Sequence, residues 1–557
     1  YNTYEVIKMS KPNVYISTAM GHTEPDLILK NGSVIDVFTG TVRKADVAVK
    51  DGIICGVGAY SGKNETDVSG KYIMPGFVDA HVHIESSMTA PGEYAKAVMP
   101  HGITTVIADP HEITNVCGED GLSFMRESSE RVPLDINLML PSCVPAAPFE
   151  HSGAVLTAED TKRLAPEFFG IGEMMNYPGI LSCDSETLGK LCSDIIDGHA
   201  PLLSGHELDA YICAGIKTDH ECGIVEEMTE KISKGMYVLL REGTLSLDVA
   251  RLIGGVTPYT LRRCAFCTDD RFIGEIIRDG SIDHCIRKSV SLGLDAVDAI
   301  IMATLNACEM YGMKNKGAVA PSYIADLVVA DDISLGSIAR VYKNGVLVCE
   351  NGKALFDCET ADASRVTRTV HLPKISPDFF ADNPPDVITA IELVPKSIAT
   401  KKVTVDKSDK LSKVCVIERH HNTGCKGIGY VVGYGIENGA VAASIGHDSH
   451  NVIVIGDNDA DMAAAVNALG KSGGIAVCSG GKILSYMELS IAGLMSSKSA
   501  DEVTKEHDAL YAAAKALNIT DKIDPFLSLS FLPLPVIPEI RITDSGLFDV
   551  TEFKFIQ

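Results

Sequence analysis

The sequence lacks an excess of basic residues and lacks any long apolar run. It has 49 Lys and Arg residues against 74 Asp and Glu residues, which gives a formal net charge of −25. Nucleic-acid phosphates are bound chiefly by Lys and Arg, so this balance argues against a nucleic-acid partner. Apolar runs such as residues 451–456 are far shorter than the roughly 20 residues that span a bilayer. We therefore expect neither nucleic acid nor a membrane as a partner.

Regularly paired cysteines are also missing. The 16 cysteines are scattered along the chain, and no signal-peptide pattern precedes them. A disulfide framework shows conserved-looking spacings in a short secreted chain, which this is not. We therefore expect reduced thiols and a cytoplasmic protein, and we further expect a homo-oligomer.

A chain of 557 residues is too long for a single core and should divide into two to four domains. Short strands with Asn-Gly or Asp-Gly turns occur in residues 26–75 and again in residues 318–365, which predicts one small β-sandwich domain interrupted by an insertion. Residues 76–317 alternate short apolar strands with helical stretches and predict a parallel sheet. Residues 1–25 have no clear pattern and are interpreted as a leader.

Residues 373–385 are rich in proline and aspartate, which is typical of a linker. Strand and helix patterns return after it, so residues 380–557 are predicted to form a separate C-terminal domain.

The most informative stretch is residues 72–87, where an apolar run ends in His81 and His83. Residues two apart on a strand point the same way, so both imidazoles should face one point. Imidazole is the commonest side-chain ligand of transition metals. A surface strand with two histidines is the alternative interpretation. The Pro75-Gly76 break and the polar loop that follows favour a strand delivering ligands to the mouth of a (β/α)8 barrel.

Polar residues follow the apolar run at several further predicted strand ends. They are Asp109 and His111, Glu173, Asp197 and His199, Arg241 and Glu242, and Asp269 and Asp270. Active sites of (β/α)8 barrels lie at the C-terminal ends of the strands. The series therefore predicts a catalytic site at that end of the barrel.

The run MPGFVDAHVH at residues 74–83 resembles the first-strand signature of the amidohydrolase superfamily. The runs IESSM at residues 84–88 and ADPHEI at residues 108–113 resemble the adenine deaminase family within it. The resemblance extends from about residue 26 to the C-terminus. It implies an α/β fold: a (β/α)8 TIM-type metallohydrolase barrel, a split small β-sandwich domain and an additional C-terminal α/β domain, of α+β type by its element order.

The resemblance also implies a binuclear divalent metal centre. The implied ligands are His81 and His83 from the first strand, Glu173 from the fourth, His199 from the fifth, His220 from the sixth and Asp269 from the eighth. A glutamate at the bridging position suits the adenine deaminase branch, because a carboxylate has two oxygens with which to hold two cations. A surface glutamate is the alternative for Glu173. The family implies Mn(II) or Fe(II), and Zn(II) also suits such ligands.

Asp269 and Glu242 are the candidate catalytic residues. The resemblance implies that Asp269 takes the proton of the attacking water, while Glu242 is a candidate to bind the purine or deliver a proton. An ion pair with a neighbour such as Arg241 is an equally good interpretation of Glu242. The role of His447 and His450 stays open.

Four further residues are candidates for binding the substrate: Glu85, Asp109, His111 and His206. Asp109 and His111 are also candidates for an additional ion. His206 is predicted to lie at a helix start, where the resemblance implies a basic group near substrate or solvent and not a metal ligand.

The function implied by the resemblance is hydrolytic deamination of adenine, a small-molecule purine base, to hypoxanthine and ammonia in purine salvage. A cyclic-amide amidohydrolase, such as a hydantoinase or dihydroorotase, is the first alternative, and Glu173 in place of lysine counts against it. A non-catalytic barrel scaffold is the second. Such relatives typically lose ligands, whereas every ligand position is filled in this sequence.

Overall fold

The computed structural model describes residues 12–395 and 397–556. The chain forms three domains: a small β domain, a parallel barrel and a C-terminal domain. Among the described residues, no helix combines the length and apolarity needed to cross a membrane.

The strands of the described residues are numbered here in chain order. The small β domain contains β1 (Leu27–Asp36), β2 (Thr41–Lys50), β3 (Ile53–Gly58), β4 (Glu65–Asp67), β5 (Tyr72–Pro75), β14 (Leu327–Ala330), β15 (Ile338–Lys343), β16 (Val346–Glu350) and β17 (Lys353–Ala354). The barrel contains β6 (Phe77–Val82), β7 (Ile103–Ala108), β8 (Asp135–Leu140), β9 (Gly170–Met174), β10 (Ile196–Gly198), β11 (Thr218–Asp219), β12 (Tyr237–Arg241) and β13 (Cys264–Cys267). The C-terminal domain contains β18 (Val387–Leu393), β19 (Thr400–Asp406), β20 (Ser412–Ile417), β21 (Lys426–Val432), β22 (Ala440–Ala443), β23 (Val452–Gly456), β24 (Gly474–Ser479), β25 (Lys482–Glu488), β26 (Ile540–Thr543), β27 (Gly546–Asp549) and β28 (Lys554–Phe555).

The α-helices of the described residues are numbered in the same way. They are α1 (Pro12–Ala19), α2 (Pro91–Val98), α3 (His111–Cys117), α4 (Glu119–Ser129), α5 (Ala158–Leu164), α6 (Tyr177–Leu181), α7 (Ser185–Gly189), α8 (Gly205–Cys213), α9 (Val225–Ser233), α10 (Val249–Leu252), α11 (Ile273–Asp279), α12 (Ile282–Ser291), α13 (Ala296–Met302), α14 (Leu305–Met310), α15 (Asp459–Ala468), α16 (Ala500–Ala516) and α17 (Leu527–Ser530).

The small β domain is one nine-stranded sheet built from two distant segments of the chain. Its order is β17-β16-β15-β14-β5-β1-β2-β3, with β4 paired to β1. The strands form a single continuous sheet that curls back on itself, since Ile53 at β3 bridges to Ile324 just before β14. Apolar side chains of both ends, such as Val47 and Val329, then share one buried core.

The predicted (β/α)8 barrel is confirmed. Strands β6 to β10 pair in sequence as one parallel sheet and β11 to β13 as another. The amide of Gly198 donates to Thr218 Oγ1 (2.9 Å) between β10 and β11. A parallel bridge between Val82 and Asp269 joins the last strand to the first. All eight strand ends therefore surround one mouth.

The C-terminal domain has an eight-stranded sheet in the order β19-β18-β21-β20-β23-β22-β24-β25. Only β18 and β21 pair in parallel; the other pairs are antiparallel. Helix α15 packs on this sheet, and α16 lies between it and helix α11 of the barrel. The domain therefore sits directly against the barrel.

Two segments differ from the expectations. Residues 1–11 of the predicted leader lie outside the described residues, but residues 12–19 form α1, which packs on β3. The stretch 373–385, predicted as a linker, belongs to the C-terminal core, because Ile375 and Phe380 are buried there. The proline and aspartate content of this stretch indicated a linker, although Ile375 and Phe380 pack in the core of the domain.

A buried ion-pair network fastens the barrel to the β domain. Asp326 accepts hydrogen bonds from Lys316 (2.7 Å) and Lys343 (3.0 Å). Both lysines also contact Asp135 at the start of β8. Burial alone would raise the pKa of Asp326, but the two lysines outweigh it and lower the pKa to about 2.

We predict that Asp326→Asn lowers the free energy of unfolding by about 3–5 kcal/mol, because it removes the buried carboxylate that two buried lysines share. Since the folded-state pKa is depressed, the contribution is fully present above the unfolded pKa of about 4 and is lost as the pH falls through about 2. Chemical denaturation measures it. Glu437→Gln, which breaks the exposed pair with Lys410, should cost less than about 1 kcal/mol. Equal effects in the two variants would contradict the prediction.

Candidate metal centre

Five barrel strands bring imidazoles and carboxylates to the mouth. His81 lies in β6 and Glu173 lies in β9. The other residues follow strands: His83, His199 and His220 come directly after β6, β10 and β11, and Asp269 lies two residues after β13. All six are buried except His199, which is half-buried. The structure therefore brings together every residue expected to bind metal.

The Glu173 carboxylate lies at the centre of this cluster. Its Oε1 is 3.2 Å from His83 Nε2 and 3.9 Å from His81 Nε2. Its Oε2 is 2.7 Å from His199 Nδ1 and 3.3 Å from His220 Nε2. Each oxygen thus faces a separate group of histidines, as a carboxylate that bridges two cations would require.

The four atoms on the Oε1 side have the spacing of a metal coordination shell. His83 Nε2 is 3.2 Å from His81 Nε2 and 3.1 Å from Asp269 Oδ1, and His81 Nε2 is 3.7 Å from Asp269 Oδ1. Ligands about 2.0–2.1 Å from one tetrahedral ion lie about 3.3–3.4 Å apart. The set therefore fits a divalent transition metal.

The histidine ring orientations also suit metal binding. His83 Nδ1 donates to the carbonyl oxygen of Asp109 (2.8 Å), so its Nε2 keeps a lone pair toward the cluster. His81 Nδ1 lies 3.7 Å from Asp197. The hydrogen bond on the far nitrogen of His83 fixes that ring, so its other nitrogen is presented to an ion in a set direction.

The buried carboxylates of the cluster require positive charge beside them. Burial alone would raise the pKa of Glu173, but His199, His220 and His83 outweigh it and hold the pKa well below its usual range. Burial would lower the pKa of His220, but Glu173 outweighs it and raises the pKa to about 9. Protons or bound cations are needed to balance these carboxylates.

Asp269 is held from two sides. Its Oδ2 accepts a hydrogen bond from Arg241 Nη1 (2.8 Å), and its backbone φ of 56° lies in the left-handed region. Strained backbone of this kind persists where surrounding contacts fix it. One such contact holds the preceding residue, because the amide of Thr268 donates a hydrogen bond to the Asp79 carboxylate (3.0 Å). Burial would raise the pKa of Asp269, but His83 and Arg241 keep it well below its usual range.

Three of the expected substrate-binding residues lie beside the cluster. His111 Nδ1 is 3.4 Å from Glu173 Oε1, and Asp109 Oδ2 accepts from the amide of Glu173 (2.9 Å). Glu85 Oε1 accepts from the amide of Ile113 (3.2 Å), while its Oε2 is buried without a hydrogen-bond partner. Burial is the largest cause that raises the pKa of Glu85, and the negative charge of Glu112 is the second; the pKa rises to about 7.

The structure does not bring His206 or Glu242 into the cluster. His206 is the second residue of α8, and its side chain is fully exposed near Asp209, because the buried face of this helix is formed by Leu208 and Tyr211. Glu242 is buried, but its carboxylate pairs with Lys288 and lies 3.9 Å from His284, both on α12. The ion pair of Glu242 is therefore with Lys288 and not with Arg241.

The sequence interpretation did not assign Arg241 or Glu221 to the site. Arg241 contacts both Asp269 and Glu221, and Glu221 Oε1 lies 3.6 Å from His220 Nε2. Their position at strand ends is a signal that the sequence contains. The sequence does not show which of two adjacent residues at a strand end points toward the cluster.

The C-terminal domain also reaches the mouth. His447 Nδ1 lies 2.8 Å from Glu112 Oε1, and His450 contacts the other oxygen of Glu112. The main cavity of this region lies between the two domains, with Glu85, Asp270 and His447 in its wall. A smaller cavity that includes Asp269 shares Asp270 with it. The mouth therefore has room for a ligand beside the cluster.

Comparisons with known proteins agree with this architecture. A family described as the adenine deaminase C-terminal domain matches residues 386–554, and the amidohydrolase family matches residues 72–348. An adenine deaminase of Clostridium acetobutylicum is 46% identical over 563 residues, covering 97% of this chain and 99% of its own. Adenine deaminases of Nitratidesulfovibrio vulgaris and Halalkalibacterium halodurans are 44% and 43% identical, each covering at least 97% of both chains.

We predict that His199→Ala and His206→Ala separate clearly in metal content. His199 contacts the Glu173 carboxylate, whereas His206 is exposed on α8. His199→Ala should lose about one metal per chain, and His206→Ala should keep the wild-type content. Metal analysis of the two purified proteins measures this. A depleted His206→Ala beside a fully loaded His199→Ala would overturn the assignment.

Proposed function

The chain belongs to the adenine deaminase family of the amidohydrolase superfamily, and we propose on this basis that it hydrolyses adenine to hypoxanthine and ammonia. The observation that carries the proposal is the cluster around Glu173, assembled at the barrel mouth of a chain that matches adenine deaminases over nearly its full length.

The family implies a divalent metal centre, and the residues at the mouth fit one. Nδ1 of His111, which lies 3.4 Å from Glu173 Oε1, is buried without a hydrogen-bond partner, and the ligand atoms converge as described above. We assign the binding of two cations to six residues: His81, His83, Glu173, His199, His220 and Asp269. Mn(II) or Fe(II) suits this mixed donor set, and Zn(II) is the alternative. When bound, such ions supply a nucleophilic oxygen from water near neutral pH.

Asp269 is the proton acceptor in this proposal. Arg241 holds the carboxylate through Oδ2, while Oδ1 faces His83 in the cluster, so the carboxylate lies where the attacking water would be deprotonated. The low pKa of the carboxyl keeps Asp269 ionised and ready to accept. Attack by the water oxygen forms the C6–O bond and moves the C6=N1 π electrons onto N1. Asp269 passes its proton to the exocyclic nitrogen, the electron pair on N1 re-forms the C6=N1 bond, the C6–N bond to the exocyclic nitrogen breaks, and ammonia leaves. The hydroxyl proton that remains on the C6 oxygen then moves to N1, which gives hypoxanthine.

Glu85 is the first candidate to hold the base. It lines the cavity, and its free Oε2 has no hydrogen-bond partner. A buried carboxyl group with one unpaired oxygen gains most from a ligand that supplies the missing hydrogen bond. Asp109 and His111 lie behind the cluster and orient it: Asp109 through the amide of Glu173 and His111 through the carboxylate. Glu242 has no part in the proposal.

A substrate panel tests the function. Protein reconstituted separately with Mn(II), Fe(II) and Zn(II) is mixed with adenine, hydantoin and dihydroorotate, and the ultraviolet change is followed. The proposal requires adenine turnover with at least one metal and none in the metal-free protein. Turnover of a cyclic amide without turnover of adenine would replace it. No turnover of any substrate, with two metals bound, would favour a non-catalytic scaffold.

We predict that Asp269→Asn reduces kcat for adenine by about 10²–10⁴-fold, the usual contribution of a general base, with a further loss if metal binding weakens. The amide cannot accept the proton. Kinetics normalised to measured metal content separate the two effects, and circular dichroism controls for folding. A loss below about tenfold would assign the base to another residue.

A further inference from the structure

The loop between β22 and β23 carries His447 from the C-terminal domain into the wall of the main cavity. The side chain is buried among residues of both domains, since Glu112 on α3 comes from the barrel. Glu85 and Asp270 line the same cavity, and Asp270 directly follows Asp269. A ligand beside the cluster would therefore lie within reach of both domains.

The His447 ring is fixed by two contacts. Its Nδ1 lies 2.8 Å from Glu112 Oε1, and its ring stacks on Phe531 with centroids 4.3 Å apart and an interplanar angle of 9°. The carboxylate keeps a hydrogen on Nδ1, so Nε2 is the nitrogen left to bind something else. A histidine oriented by a carboxylate is prepared to act through its other nitrogen.

The loop that bears His447 is itself anchored. Arg419 is completely buried, and its guanidinium donates to backbone carbonyls of this loop and of a neighbouring one: His450 and Ala492 (3.0 Å for the latter). The carboxylate of Glu112 also contacts His450. The position of His447 is therefore set by the fold and needs no ligand to define it.

The surroundings of His447 favour its cationic form. Burial alone would lower its pKa, but Glu112, Asp270 and Asp448 outweigh it and raise the pKa to about 9. An imidazolium has N–H donors on both nitrogens and no acceptor. With Nδ1 engaged, its remaining donor suits an unprotonated ring nitrogen, and a purine presents such nitrogens on both of its rings.

We propose that His447 of the C-terminal domain binds the substrate directly, donating a hydrogen bond from Nε2 to N3 or N7 of the purine. The inference rests on the proposed function for the identity of the base. It assigns the C-terminal domain a part in substrate recognition, with Glu112 as the positioning residue that orients the ring.

The test measures binding of the product, which is not consumed. The probes are hypoxanthine, 3-deazahypoxanthine and 7-deazahypoxanthine, and calorimetry compares the metal-loaded wild type with His447→Phe. Phenylalanine keeps an aromatic ring against Phe531 but has no donor. His421→Phe, an exposed histidine of the same domain, is the matched control.

We expect His447→Phe to weaken hypoxanthine binding about 10- to 100-fold, the range for a hydrogen bond to a charged group. For one deaza probe, the one that lacks the contacted nitrogen, wild type and variant should bind within twofold of each other. Glu112→Gln should weaken hypoxanthine less than His447→Phe, and His421→Phe should change nothing.

Three results would overturn the proposal: unchanged hypoxanthine affinity in His447→Phe, an equal loss for all three probes, or no hypoxanthine binding by the wild type. Loss of a metal equivalent in His447→Phe would instead assign the residue to ion binding. Adenine turnover is measured separately, so an inactive wild type that still discriminates the probes would refute the proposed function and leave this recognition in place.

Discussion

The structure of the barrel mouth depends on one carboxylate, that of Glu173, and its contacts with five imidazoles. Its two oxygens face separate groups of histidines, so side chains from several other strands must converge on it. A buried carboxylate in such surroundings is tolerable only if positive charge lies beside it. Burial of this negative charge is unfavourable when no cation is present, and for the same reason it favours the binding of a cation.

Around this centre, a second set of residues fixes the first. Arg241 holds Asp269 and Glu221, Asp109 holds the amide of Glu173, and Asp79 holds the strand end before Asp269. These partners keep each ligand atom in place before any ion or substrate arrives, which reduces the reorganisation needed during reaction. The geometry of the cluster is therefore a property of the whole barrel rim and not of the six proposed ligand residues alone.

The C-terminal domain also holds a carboxylate of the barrel mouth in place. Glu112 follows the second strand, yet its partners are His447 and His450, more than three hundred positions later in the chain. Burial of a carboxylate by two histidines from another domain ties the domains together at the mouth. The cavity wall consequently belongs to both, and a change in domain packing would alter substrate access directly.

The sequence by itself determined the barrel and the residues at its mouth. Strand periodicity sets which residues face together, so His81 and His83, and the polar residues ending later strands, were identifiable from order alone. The tertiary structure decided the rest. Only packing shows that Arg241 turns to Asp269 while its neighbour Glu242 pairs with Lys288, since adjacent residues at a strand end face opposite ways. Likewise, only domain docking brings His447 to Glu112, because no local pattern specifies a contact between such distant segments.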